Sequence, residues 1–102
     1  MLFVSKEDVL AIHHRAIDEF GGSQGILNEG SLEAALVAAE NRAWYEDAEV
    51  VICAATYAFH LCQGHAFIDG NERVAAAVSE VFLIINDRRL VADDDEMVDF
   101  FM

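Results

Sequence analysis

The nine residues HAFIDGNER, at positions 65–73, join the two most apolar segments of the chain, residues 48–63 and 71–86. Both segments are apolar on nearly all sides when drawn as helices, which is typical of helices at the centre of a fold. Between them, the Asp-Gly-Asn sequence at 69–71 tolerates positive φ and favours a tight turn. The stretch therefore predicts a central pair of helices, covering about these two segments, with a loop at residues 64–70 between them.

Two further helices are predicted before this pair. The first begins after Ser5, which can cap it, and ends at Gly21-Gly22. Its apolar residues recur at helical spacing: Val9, Leu10, Ile12, Ala16, Ile17 and Phe20. After a glycine-punctuated loop at residues 21–30, a second helix extends from Leu32 to about Asn41, and Asp47 can cap the third helix.

The end of the chain is less regular. Arg89–Val91 could form a short extended piece against Leu2–Val4, and the acids at 93–96 open a last helix that stops at residues 100–102. An apolar end of this kind fits three alternatives: it packs down, another chain covers it, or the domain is a shortened version of a longer one. The pattern predicts one all-α domain over residues 1–102.

The composition excludes several classes of function. The chain has 102 residues, 55% of them apolar, with six glycines and no proline, which suits one buried core rather than a disordered chain. It has 19 acidic residues against six basic ones, and a formal net charge of −13. Six scattered basic residues cannot form a phosphate-binding stripe, so we expect no direct nucleic-acid ligand. The same charge would repel anionic membranes and suits a partner with a basic segment.

Cysteine use and the start of the chain indicate a reducing cytoplasm. Cys53 and Cys62 lie on opposite faces of the predicted third helix and cannot pair within it, and no zinc-like spacing occurs. The first residues lack the basic and long apolar regions of a signal peptide. Residues 50–68 carry no formal charge and are long enough to span a bilayer, but their histidines, threonine and glutamine favour a buried core helix.

The loop contains residue types suited to phosphate chemistry. Asp69, Gly70 and Asn71 can bend the backbone into a nest of N–H groups at the start of the fourth helix, where anions are favoured. The Asn71 amide and the Arg73 guanidinium can donate to phosphate oxygens, and Asp69 is a hard oxygen ligand for Mg²⁺ bound jointly with phosphates. The His65 imidazole can take the proton of an attacking hydroxyl. We therefore expect phosphoryl or nucleotidyl transfer, provided that His65 faces outward and the loop amides are free.

At these residues the chain resembles the Fic/Doc family, whose signature is His-x-Phe-x-(Asp/Glu)-Gly-Asn-(Gly/Lys)-Arg. Residues 65–73 match each fixed position except the eighth, which is Glu72. The Doc (death on curing) branch is the more similar one, because the similarity runs through the whole chain. It includes Phe3–Gly22, Gly25-Ile26, Gly30, Leu32, Glu33, Val81–Leu83 and Asn86.

The resemblance implies an all-helical, Fic/Doc-like bundle, and it allows that the chain lacks the final helix of longer relatives. It implies the toxin of a toxin–antitoxin system, with Mg²⁺ as cofactor and ATP as substrate, acting on a protein hydroxyl. The partner would be an antitoxin with a disordered tail that folds on binding. Doc toxins phosphorylate a threonine of elongation factor Tu and so inhibit translation, whereas most Fic relatives transfer AMP.

The same resemblance assigns roles to the residues of the loop. His65 would be the general base, Asp69 the Mg²⁺ ligand, Gly70 and Asn71 the anion-binding turn, Arg73 the phosphate clamp, and Phe67 the residue that packs the loop into the core.

Glu72 is the serious departure from the family, since Doc toxins have a lysine there to grip phosphate; Ala66 for Pro and Val74 for Thr are milder. A unit charge about 4 Å from another is worth roughly 4 kcal/mol at an effective dielectric near 20. That is comparable with the binding free energy of a millimolar ligand, about 4 kcal/mol. Alternatively, Glu72 shares a helical face with Asp69 and helps to hold the metal. An active enzyme with altered phosphate binding, and a weakened domain kept for partner binding, both remain open.

Other residues are interpreted as structural. His60 is predicted to be a hydrogen-bonded core histidine. Trp44 and Tyr45 fit either the core or a lip over the site, and the core is the favoured interpretation. His13 and His14 have no partner at a spacing that the sequence makes interpretable.

Overall fold

The structure is a computed structural model, and it describes residues 1–86. It contains four helices: α1 (Lys6–Phe20), α2 (Glu29–Glu46), α3 (Val50–Gln63) and α4 (Asn71–Ile85). Within residues 1–86 there is no strand, only an isolated antiparallel bridge between Ile26 and Phe67. The all-α prediction is confirmed, whereas the extended piece at residues 89–91 and the last helix fall outside the described residues.

The ends of α1 follow local rules. The Ser5 side chain accepts a hydrogen bond from the Asp8 N–H at 3.1 Å, so the predicted cap is confirmed. The helix ends at Gly21, whose φ of 91° suits glycine and few other residues. Sequence reasoning missed the cap of α2, where the Asn28 side chain accepts from the Ser31 N–H at 3.0 Å.

The predicted end of α2 was wrong. The helix continues past Asn41 to Glu46, because residues 42–46 contain no glycine or proline and an Arg42–Glu46 ion pair of 3.7 Å supports the last turn. Asp47 is therefore the left-handed residue that ends α2, with φ of 51°, rather than the cap of α3. Glu49 precedes α3 and makes no side-chain capping bond.

Trp44 and Tyr45 were also predicted wrongly, since they are 74% and 84% exposed. Ala35 and Ala39 of α2 are buried and lie four residues apart, on one face of the helix. Because the helix continues in register, positions 44 and 45 fall outside that face and point away from the core.

The core lies where α3 packs between α2 and α4, with α1 against α4. Tyr57 of α3 and Phe82 of α4 are fully buried, with ring centroids 5.0 Å apart. The Val4 N–H donates to the Tyr57 hydroxyl at 3.1 Å, which ties the start of the chain to α3. Burial raises the pKa of Tyr57 to about 12.

The cysteines are unpaired, as predicted. Cys53 is buried and Cys62 is half-buried. Burial raises the pKa of the Cys53 thiol, which makes it less reactive. No helix within residues 1–86 is both long enough and apolar enough to cross a membrane.

Candidate active site

His65 is presented by the end of α3. The helix stops at Gln63, and Gly64 closes it so tightly that a Cβ there would lie 2.7 Å from the His60 carbonyl oxygen. His65 itself then adopts a left-handed conformation with φ of 48°, which reverses the chain. Its side chain is exposed and lines a depression of about 410 Å³.

The depression gathers the two ends of the motif, His65 and residues 69–73, and leaves out its middle, residues 66–68. Its lining consists of Gly21, Cys62, Gln63, His65, Asp69, Gly70, Asn71, Glu72 and Arg73. The structure thus brings together the residues that the sequence predicted for the site. It adds Gly21 from the turn after α1, and Cys62 and Gln63 from the end of α3.

The middle of the loop is fixed to a distant loop. The Ala66 carbonyl oxygen accepts N–H bonds from Leu27 at 2.7 Å and from Asn28 at 3.0 Å, and the Ile68 N–H donates to the Gly25 carbonyl at 3.1 Å. Phe67 is 1% exposed, so its predicted packing in the core is confirmed. These bonds hold the motif against residues 25–28 and leave its two ends to form the site.

The Asn71 side chain braces the loop from within. Its Oδ1 accepts the Phe67 N–H at 3.0 Å, and its Nδ2 donates to the Phe67 carbonyl at 2.9 Å. The carboxamide that the sequence analysis assigned to phosphate oxygens is therefore committed to the backbone, because it satisfies two groups of a buried residue. What Asn71 offers to an anion is its backbone N–H at the start of α4.

Asp69 is held by backbone amides. Its Oδ1 accepts the Gly70 N–H at 2.8 Å and its Oδ2 accepts the Ser23 N–H at 3.2 Å. One of the loop amides expected to be free for an anion is thus occupied by the protein's own carboxylate. Gly70, with φ of 76°, starts α4 without a side-chain cap, and the first N–H groups of a helix have no acceptor within the helix. The anion-binding capacity predicted for the loop accordingly rests on residues 71–73.

The two charged residues at the start of α4 differ in their contacts. The Arg73 guanidinium lies 4.5 Å from the centre of the Phe20 ring, a cation–π contact that fixes it over the end of α1. Glu72 is exposed and lines the depression. Within residues 1–86 no group of three His, Cys, Asp or Glu side chains is arranged to hold a metal ion, so Glu72 and Asp69 do not build a complete cation site.

Sequence reasoning missed His13. It is 3% exposed, its Nε2 lies 2.7 Å from the Asp69 carbonyl oxygen, and its ring is stacked on Phe67 with centroids 3.8 Å apart. A signal was present, because His13 is in register with Val9 and Ile17 on the buried stripe of α1.

The other histidines do not take part in this site. His14 is exposed and forms a 3.3 Å pair with Asp18. The prediction that His60 is a core residue was wrong, since it is only half-buried, with its ring in a T-shaped contact with Phe59.

The fold and the site define a class of protein: a helical domain in which a motif loop joins two central helices, displays a histidine and opens onto the amide end of the second helix. Comparison with known proteins gives the family. The Fic/DOC family model matches residues 3–83. The Protein kinase doc of Escherichia phage P1 is 32% identical over 100 residues, which are 97% of this chain and 79% of that protein. The Toxin Doc of Mycolicibacterium smegmatis is 35% identical over 95 residues, which are 91% of this chain and 71% of that protein.

The chain therefore belongs to the Fic/DOC family, and the resemblance inferred from its motif is confirmed.

Proposed function

We propose that this chain is the toxin of a toxin–antitoxin system and that it transfers phosphate from ATP to a protein hydroxyl. The observation that carries the proposal is the convergence of His65, Asp69 and Arg73 on one depression at the start of α4. Membership of the Fic/DOC family supports it. The names of the two relatives, a protein kinase and a toxin, support the kinase activity and the toxin role.

His65 is the proposed general base. The substrate hydroxyl oxygen attacks the γ-phosphorus of ATP, its proton passes to the imidazole, and the bond from that phosphorus to the β–γ bridging oxygen breaks to release ADP. A base in this role contributes about 10²- to 10⁴-fold in rate. The N–H groups of residues 71–73 and the Arg73 guanidinium are available to bond the phosphate oxygens.

Mg²⁺ fits the donor set at Asp69. Each carboxylate oxygen accepts one amide N–H and keeps a lone pair, so the group remains a hard oxygen ligand at the wall of the depression. The remaining ligands would be water and phosphate oxygens, as Mg²⁺ commonly requires. When bound, the ion would neutralise phosphate charge; the chain's own part is to hold the carboxylate still.

Glu72 favours a second candidate, a domain with weakened phosphate binding that is kept for its partner. Its carboxylate lines the same depression as Asp69 and would repel an anionic phosphate. Because Glu72 is exposed, water and salt screen much of that repulsion, and the active transferase remains the first proposal.

The proposed partners follow from charge and family. An antitoxin whose disordered tail is basic would be attracted to a chain with a net charge of −13, which raises the rate of association. The proposed protein substrate is elongation factor Tu.

Labelled ATP tests the reaction. The chain is incubated with elongation factor Tu and with ATP labelled at either the γ- or the α-phosphate. Phosphate transfer labels the protein from γ-labelled ATP alone, whereas AMP transfer labels it from α-labelled ATP alone. We expect γ-labelling that falls by about 10²- to 10⁴-fold in His65→Ala. His14→Ala, which changes an exposed histidine of α1, should leave the labelling unchanged, and full labelling by His65→Ala would refute the proposal.

Substitution of Glu72 distinguishes the two candidates. Binding of Mg²⁺ and ATP is measured by calorimetry in the wild type, Glu72→Gln and Glu72→Lys. If the wild type binds and labels its substrate, the lysine variant should bind more tightly by about tenfold, since the repulsion is replaced by attraction. If the wild type neither binds ATP nor labels the substrate, and Glu72→Lys gains both binding and labelling, the weakened domain is the correct candidate.

A further inference from the structure

Asp69 is held by parts of the chain that lie outside the motif. The His13 Nε2 is 2.7 Å from the Asp69 carbonyl oxygen, and the Ser23 N–H donates to Oδ2 at 3.2 Å. His13 lies within α1 and Ser23 in the turn that follows it. Backbone and carboxylate of the same residue are thus fixed by one helix and its exit turn.

The contact made by His13 defines its chemistry. A carbonyl oxygen only accepts, so Nε2 must carry the hydrogen and donate it. The ring is 3% exposed and lies nearly parallel to Phe67, with an interplanar angle of 9°. A buried ring that is stacked on one side and bonded at its tip has one orientation, and it does not reach the depression where substrate would bind.

At Gly22 the turn after α1 approaches the Asp69 carboxylate too closely to leave room for a Cβ. At Gly22, with φ of 119°, an added Cβ would lie 2.7 Å from Asp69 Oδ2 and 3.1 Å from Ile17. Gly21 also has positive φ, 91°, but an added Cβ there would meet nothing within 4 Å. Gly22 is therefore required for space as well as for conformation, and the neighbouring glycine supplies a matched control.

We propose that His13 and the Gly22–Ser23 turn are positioning elements that fix the Asp69 carboxylate for a divalent cation. The inference rests on the proposed function, because it takes Asp69 as the ligand. A metal ligand must be held within about 0.5 Å of its working position. Residues that orient metal ligands typically change metal affinity or activity by about 10- to 100-fold when they are removed. Asp69 has no neighbouring ligand cluster in residues 1–86 to compensate for a displacement.

Two substitutions of His13 test the hydrogen bond. His13→Phe keeps an aromatic ring against Phe67 and removes the donor, whereas His13→Gln keeps a donor of similar reach. The measurement is the Mg²⁺ concentration that half-saturates binding of a non-hydrolysable ATP analogue to the full chain, followed by calorimetry. We expect a rise of about 10- to 100-fold in His13→Phe and recovery to within a few-fold of wild type in His13→Gln. His14→Phe, at the exposed neighbouring position, should match the wild type.

The glycine pair tests the turn independently and keeps the inference falsifiable if His13→Phe does not fold. Gly22→Ala should raise the half-saturating Mg²⁺ concentration in the same way, because its methyl group displaces the carboxylate. Gly21→Ala introduces the same kind of positive-φ strain without a neighbour within 4 Å, so the rise in Gly22→Ala should exceed the rise in Gly21→Ala by about tenfold.

The outcomes separate this inference from the proposed function. If the wild type binds no Mg²⁺–nucleotide, both proposals are overturned. Suppose instead that the wild type binds, and that the folded variants His13→Phe and Gly22→Ala reach half-saturation at the same Mg²⁺ concentration as the wild type. Only the positioning inference is then overturned. The ¹⁵N shifts of His13 give a readout without nucleotide: an Nε2–H tautomer is expected, and a neutral Nδ1–H ring would overturn the role of His13.

Discussion

The two connections that flank α3 share an unusual backbone feature. Asp47, before the helix, has φ of 51°, and His65, after it, has φ of 48°. Residues other than glycine rarely enter this left-handed region, and a residue that does so costs about 1–2 kcal/mol. Each connection thus contains one residue other than glycine in the left-handed region.

Their hydrogen bonds are not equivalent. In the connection at residues 47–49, the N–H groups of Asp47 and Ala48 both donate to the Arg42 carbonyl, and the Glu49 carbonyl accepts from the Cys53 N–H, so these bonds join only residues close in sequence. In the connection at 64–70, bonds reach α1, the turn after it, and residues 25–28. The comparison teaches that a left-handed residue by itself marks a turn, whereas bonds from distant parts of the chain make a turn rigid enough for chemistry.

Removing the internal brace of the 64–70 connection should have the largest effect on stability. In Asn71→Ala, the N–H and carbonyl of the buried residue Phe67 lose their partners. We expect a loss of about 2–4 kcal/mol in the free energy of unfolding, measured in urea.

Asn86→Ala is the matched control for that substitution. The Asn86 carboxamide also bonds a backbone N–H and carbonyl, those of Leu2, each at 2.7 Å, but at an exposed site where water can replace it. In Asn86→Ala the free energy of unfolding should fall by about 1 kcal/mol. Equal losses in the two variants would show that the burial of the groups bonded by Asn71 adds nothing to the cost of losing them.

Tyr57 lies in α3, the helix between the two connections, and its burial is expected to make the free energy of unfolding depend on pH. Burial raises the pKa of Tyr57 to about 12 from 10.0, so the folded state favours the neutral phenol. The contribution is fully present below pH 10 and is lost as pH rises through 12, by up to about 2–3 kcal/mol.

The measurement is unfolding in urea at several pH values for the wild type and Tyr57→Phe. The phenylalanine variant should be less stable at pH 8, because the Val4 N–H loses its acceptor, and should lose less stability between pH 10 and 12. Parallel pH profiles for the two proteins would refute this account.

The smallest effect should come from the left-handed residues themselves. Asp47→Gly and His65→Gly each relieve a positive φ, and we expect a gain of about 0.5–1 kcal/mol in the free energy of unfolding. Thermal unfolding checks both. Activity sharpens the comparison, because His65→Gly should abolish transfer while Asp47→Gly retains it; a loss of transfer in both would mean that the two connections are functionally alike.

Much of the fold was predictable because its rules are local. The Ser5 cap, the end of α1 at Gly21 and the end of α3 at Gln63 follow from residue type over a few positions. The errors at the end of α2 have a different cause. Whether a helix without a breaker stops at Asn41 or at Glu46 depends on packing and ion pairs in the last turn, which composition does not encode.

For the candidate site, the sequence determined which residues converge, because residues 65–73 are consecutive and begin a helix at their end. Tertiary structure alone decided what each of them does there: it turned the Asn71 carboxamide inward, and it placed His13, 56 positions away, on the Asp69 carbonyl. Periodicity describes which face of a helix is buried, but not which distant backbone group that face will meet. That choice is made by the packing of α1 against α4, and it turns a recognisable motif into a braced site.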